Sequence, residues 1–110
     1  MDAAIQKAVR ERAKHRCEHC HFPAAFAELP FHQDHIIAQQ HGGETTLDNL
    51  AFACCHCNRY KGPNLSSVDP VSSEIVQLFH PRQDQWENHF SWHGPALVGN
   101  TATGRATIQA

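Results

Sequence analysis

The chain has 110 residues, a formal net charge of -2, ten histidines and five cysteines. A chain this short is expected to form one domain, 1–110, that buries about two-thirds of its unfolded surface, so a staple would help it fold. The slightly negative balance gives no global argument for a nucleic-acid partner, and no apolar run approaches the roughly 18 residues of a membrane span.

Residues 2–15 are expected to be helical, because Ala4, Ile5, Ala8, Val9 and Ala13 recur at helical spacing. Lys7, Arg10, Arg12, Lys14 and Arg16 outnumber Asp2 and Glu11 there, a pattern that taken alone describes a solvated face. This charged segment has no apolar h-region, unlike a secretory signal. A reducing, cytoplasmic location is therefore expected, and disulfides are not. Cys17-Glu-His-Cys20 reads as a tight knuckle ended by Pro23, and 24–29 as one helical turn. A strand is expected over 31–37, a turn at Gly42-Gly43, a second strand over 50–54 and one or two helical turns from Cys55 to Lys61. Gly62-Pro63 stops that helix, and Asp69-Pro70 and Ser72-Ser73 mark loops. Further strands are expected over 74–79, Phe90–Trp92 and Ala96–Val98, with a helix starting near Thr103. The class is α+β.

Cys17-x-x-Cys20 and Cys54-x-x-Cys57 are separated by 33 residues. A two-residue gap turns both thiolates to one side, at the bite a tetrahedral ion requires, and two such turns close a shell with no open position. Structural zinc is the expected occupant. The rival, a pair of redox dithiols, lacks the βαβ context such pairs need. Cys55 is the odd thiol, a small filler between ligands. Four thiolates leave no vacancy for His19, His21 and His56, which are expected on the surface or around the sulfurs.

Asp34-His35, Asn49 and Asn58 remain. Phosphodiester hydrolysis needs a base to activate water and a hard cation to stabilise charge on the phosphate. Neighbours in a strand point to opposite faces, so Asp34 and His35 serve one site only if the backbone bends there. Asp34 could then hold the cation while His35 addresses water, and Asn58 could enter the cation's shell from the helix. Each residue also has an ordinary reading: a surface pair for Asp34-His35, a turn cap for Asn49, a helix cap for Asn58.

Cys-x-x-Cys, Asp-His-Ile, Gly-Gly, Asn-Leu and Cys-x-x-Cys-Asn-x-x-Lys, in this order from Cys17 to about Gly62, resemble the HNH endonuclease family. The tail 80-HPRQDQWENHF-90 with 104-GRATI-108 is similar to a bacterial subgroup of small HNH proteins. The resemblance implies a ββα-metal (His-Me finger) fold gripping one catalytic divalent ion, with DNA as the substrate. It implies His35 as general base, Asp34 and Asn58 as ligands of the catalytic ion, and Asn49 as the residue that holds the histidine loop. Asn58 in place of histidine favours magnesium or manganese over softer ions. Arg59, Lys61 and His41 are candidate nucleic-acid contacts, with solvated charge as the plainer alternative. The modest basic surface leaves room for a partner protein or a second copy to assist binding. The rival reading is a catalytically silent, zinc-stabilised module that binds nucleic acid or protein. His80, Arg82, Asp84, Trp86 and His89 are dense enough to suggest a supporting shell, and Trp86, Phe90 and Trp92 are core candidates.

Overall fold

Asp2 starts the first helix: its carboxylate accepts the Ala4 N–H at 2.8 Å, and α1 runs Ala3–Arg12. The helix ends earlier than the apolar spacing predicts. Lys14 and His15 adopt left-handed backbone (φ 56° and 59°), which an α-helix does not continue through. The computed structural model describes residues 1–109. Their contacts group into two units, Met1–Pro63 and the residues from Asn64 onward. The α+β class holds.

In the first unit, β1 (His32–His35) pairs antiparallel with β2 (Leu50–Ala53), and α2 (Cys55–Lys61) follows directly. All four β2 residues are buried. Leu50 and Phe52 share one face by the two-residue alternation of a strand, and they form the core with Val9 of α1, flanked by Ile5, Ala13, Ala24 and Phe31. Ala51 and Ala53 fall on the opposite face, where Asp34 stands opposite Ala51. This core is small, so most of the unit's order must come from elsewhere. A one-turn 3₁₀ segment, Ala24–Phe26, stands where 24–29 suggested a helical turn.

In the second unit, β3 (Ser66–Val68) pairs with β4 (Ile75–Gln77), and β5 (Phe90–His93) with β6 (Ala96–Gly99). A short α3 (Trp86–His89) precedes β5, and α4 (Ala102–Gln109) closes the chain's described part. Gly99 and Gly104 let α4 come against β6 and the His89 carbonyl: a Cβ on Gly104 would lie 2.2 Å from that oxygen. His80, Arg82 and Asp84 of the polar run close their own turn, whereas His89 Nδ1 lies 2.6 Å from Thr101 Oγ1. Asp84 accepts the His80 N–H at 2.9 Å, and His80 Nδ1 accepts the Arg82 N–H at 3.1 Å. Phe90 is buried, with Phe79 edge-on at 5.4 Å and Trp86 at 5.5 Å, whereas Trp92 is 45% exposed and is not core.

Asp69 is the fully buried polar group of this unit. Arg105 Nε and Nη2 donate to its two oxygens at 2.8 Å each, Ser72 Oγ donates at 2.8 Å, and the Val71 and Ser72 N–H groups complete the set. The Arg105 guanidinium, with the Ser72 hydroxyl and those N–H groups, holds the carboxyl well below the usual carboxylate range. A depressed folded-state pKa stabilises the fold above the unfolded value, about 3.9, and that contribution is lost as pH falls through the folded one. Asp69→Asn should therefore melt several degrees lower at neutral pH and lose part of the parent's acid sensitivity. Superimposable melting curves at pH 7 would remove Asp69 from this role.

Candidate metal and active sites

The two knuckles converge. The sulfurs of Cys17, Cys20, Cys54 and Cys57 all lie within 4.8 Å of one another, and Cys20 and Cys54 are 3.9 Å apart. A tetrahedral zinc with Zn–S near 2.3 Å needs sulfur–sulfur edges of about 3.8 Å, which the Cys20–Cys54 pair already has and the others approach, so these side chains suit zinc. Local sequence explains the placement. Cys54 is also the N-cap of α2, its Sγ accepting the Cys57 N–H at 3.4 Å, and Cys17 Sγ accepts the His19 N–H at 3.4 Å. Both N–H groups offset negative charge on sulfur. Hydrogen bonding to Cys17, the largest cause in each case, lowers the Cys54 thiol and raises those of Cys20 and Cys57. Protons are thus shared unequally in a set this tight, and a dication would let all four ionise. Cys55 stays outside the set, half-buried, and His56 is exposed with its ring 4.5 Å from that of Tyr60. His19 is buried, with its N–H on Cys17 Sγ, so of the two expected places it takes the one around the sulfurs.

The second site lies between β1 and α2. His32, Gln33, Asp34, His35, Ala38, Gln39, Asn58, Gly62 and Pro63 line an open hollow of about 340 Å³. Asp34 and His35 both reach it although they are strand neighbours, because His35 is the last residue of β1 and the chain bends at 36–37. Asp34 Oδ2 is buried and accepts no hydrogen bond, its nearest cation being Lys61 Nζ at 3.7 Å. Burial pushes the Asp34 carboxyl up, against the pull of Lys61 and His35. Asn58 projects from α2 immediately after the second knuckle, held there by the turn that carries Cys54 and Cys57. Its backbone N–H bonds the Cys54 carbonyl, and its side-chain amide makes no hydrogen bond among the described residues. A carboxylate oxygen that accepts no hydrogen bond and faces Lys61, with a free amide beside the same hollow, suits a hard cation, which takes oxygen ligands.

The loop from Ile36 to Asn49 frames this hollow. Asn49 accepts the Ile37 N–H at 2.9 Å and donates to the carbonyls of Ile37 at 3.0 Å and Glu44 at 2.8 Å, so one side chain closes the loop at both ends. Gly42 supplies left-handed backbone (φ 86°), and Gly43 supplies room. A Cβ on Gly43 would stand 1.7 Å from the Ile37 carbonyl oxygen. His35 Nε2 lies 2.8 Å from Thr45 Oγ1 on the same loop.

Two of the candidate nucleic-acid contacts, Arg59 and His41, are exposed. Lys61 is not: it is 8% exposed, and its ammonium is turned inward onto Asp34 and the carbonyls of Ile36 and Gly62. Arg12 also departs from the solvated-face reading. Its guanidinium donates to the carbonyls of Leu47 at 2.8 Å and Leu50 at 2.5 Å, on either side of Asn49, and lies 3.9 Å from Glu18. Neither Arg12 nor Thr45 announces these contacts in the sequence, since each partner is brought close only by folding.

Two antiparallel strands, a helix, a four-cysteine cluster and a loop pinned by asparagine define a ββα-type domain. Residues 17–64 match the family model of the HNH endonucleases, and the resemblance drawn from the motifs is borne out over that segment. The match ends before the tail at 80–108. No curated protein and no solved structure matches this chain. No helix among the described residues is long and apolar enough to cross a membrane.

Proposed function

We propose that the protein is a metal-dependent endonuclease that hydrolyses phosphodiester bonds in DNA. The observation that carries this reading is the meeting of Asp34, His35 and Asn58 at one hollow, with the Asp34 Oδ2 oxygen and the Asn58 amide free of hydrogen bonds. Asp34 and Asn58 would hold a magnesium or manganese ion, which when bound stabilises negative charge on the phosphate and the leaving oxygen. His35 accepts a proton from water as the water oxygen bonds to phosphorus. The phosphorus–oxygen bond to the leaving sugar then breaks, and that oxygen takes up a proton from solvent. Asn49 keeps the loop beside His35 in one geometry, and the four-cysteine cluster, filled by zinc, fixes the turn from which Asn58 projects.

Arg59 and His41 are exposed and stand on the segments that carry this machinery, and they are assigned to the phosphate backbone. Incubation of purified protein with supercoiled plasmid should give nicked or linear DNA with magnesium or manganese, and none with chelator. Full metal loading without any cleavage would favour the silent zinc-held module. Asn58→Ala should raise the manganese concentration needed for half-maximal cleavage by about 10-fold or more while the melting curve holds. An unaltered metal titration would reduce Asn58 to a surface residue of α2.

A further inference from the structure

Thr45 is an exposed loop residue whose hydroxyl oxygen sits 2.8 Å from His35 Nε2. The other ring nitrogen, Nδ1, has no hydrogen-bond partner among the described residues, and the ring borders the hollow shared with Asp34 and Asn58. A neutral imidazole carries its proton on one nitrogen and a lone pair on the other, and the hydrogen bond made by one decides the state of the other. If the hydroxyl donated to Nε2, the proton would stay on Nδ1 and neither nitrogen could act as a base. If the hydroxyl accepts from Nε2–H, Nδ1 keeps a free lone pair.

We propose that Thr45 is a positioning residue: its hydroxyl accepts the Nε2 proton of His35, fixes the ring, and leaves Nδ1 as the basic atom at the hollow. This inference rests on the nuclease reading and deepens it. The surrounding loop supports it physically. Thr45 lies between Glu44, whose carbonyl accepts from Asn49, and Thr46, whose carbonyl accepts the Asn49 N–H at 3.0 Å, so the hydroxyl is presented from a segment tied on both sides. A hydroxyl on a loose loop would not select one ring state.

The test compares Thr45→Val, which keeps the shape and loses the hydroxyl, with Thr45→Ser, which keeps the hydroxyl. Thr45→Val should lose about 10–100-fold in kcat, the usual worth of a group that orients a functional histidine, with KM for DNA and the manganese titration unmoved. Thr45→Ser should recover most of that loss. Independently of activity, ¹⁵N resonances of the His35 ring should report the Nε2–H form in the parent and a mixture of both forms in Thr45→Val. Parental cleavage by Thr45→Val alongside an inactive His35→Ala would overturn the role of Thr45 and leave the nuclease reading standing. A parent protein that cuts no DNA overturns the nuclease reading, and with it Thr45 as an aid to cleavage. Ring resonances showing the Nδ1–H form in the parent would overturn the proposal whatever the activity.

Discussion

His35→Ala should lower the rate of plasmid cleavage by roughly 10²–10⁴-fold, the usual worth of a general base, while DNA affinity and manganese affinity stay near those of the parent. The separation follows from placement. His35 is half-buried at the end of β1, and its side-chain hydrogen bond runs to the exposed Thr45, so its removal takes nothing from the core of Val9, Leu50 and Phe52. Asp34 and Asn58 remain at the hollow to hold the ion. Added imidazole should restore part of the rate, since a small base can enter the space the side chain leaves. Near-parental cleavage by His35→Ala, in protein shown free of contaminating nuclease, would refute the base assignment.

Loss of the four-sulfur site should have the larger effect on folding. Cys17→Ser or Cys57→Ser is expected to lower zinc content and abolish cooperative melting of the first unit. Structural zinc supplies about 10–16 kcal/mol in small metal-held domains, comparable to the whole stability of a typical fold. The apolar alternative is slight here: three fully packed side chains form the core cluster. Metal analysis of the purified variants, beside circular dichroism melts, reads both expectations. Stoichiometric zinc with an unchanged melt in both variants would rule out the four-cysteine site.

The parts of this protein that were legible in its sequence are those whose chemistry is local. The two cysteine knuckles, the Gly-Gly turn and the helix from Cys55 to Lys61 depend on neighbours within a turn or two, and the structure has each of them. The short strand Ser66–Val68 is not legible in the sequence, because two serines and a valine carry no apolar alternation, and its pairing is with Ile75–Gln77 across a loop. Lys61 read as a nucleic-acid contact because its partner, Asp34, is distant in sequence. Arg12 read as helix surface for the same reason: it reaches the Leu47 carbonyl across 35 positions. Propensity and periodicity describe where a side chain starts. They do not describe which carbonyl the fold will bring to it.

The clamp made by Arg12 bears on how this motif can be moved between proteins. A piece running from Cys17 to Asn64 would contain every motif residue and all four sulfurs, yet it would leave α1 behind. Leu50 and Phe52 would then lose Val9, Ile5 and Ala13 and keep only Ala24 and Phe31, forfeiting part of the roughly 1.5–3 kcal/mol that full burial of such a side chain contributes, and the carbonyls flanking Asn49 would lose the guanidinium that gathers them. Recombination at the first cysteine therefore transfers the ligands without the brace. A host that received this cassette would need a helix of its own, with a cationic fork at the matching turn, before the asparagine loop could settle. Inheritance of the motif is tied to a neighbour that the motif itself does not encode.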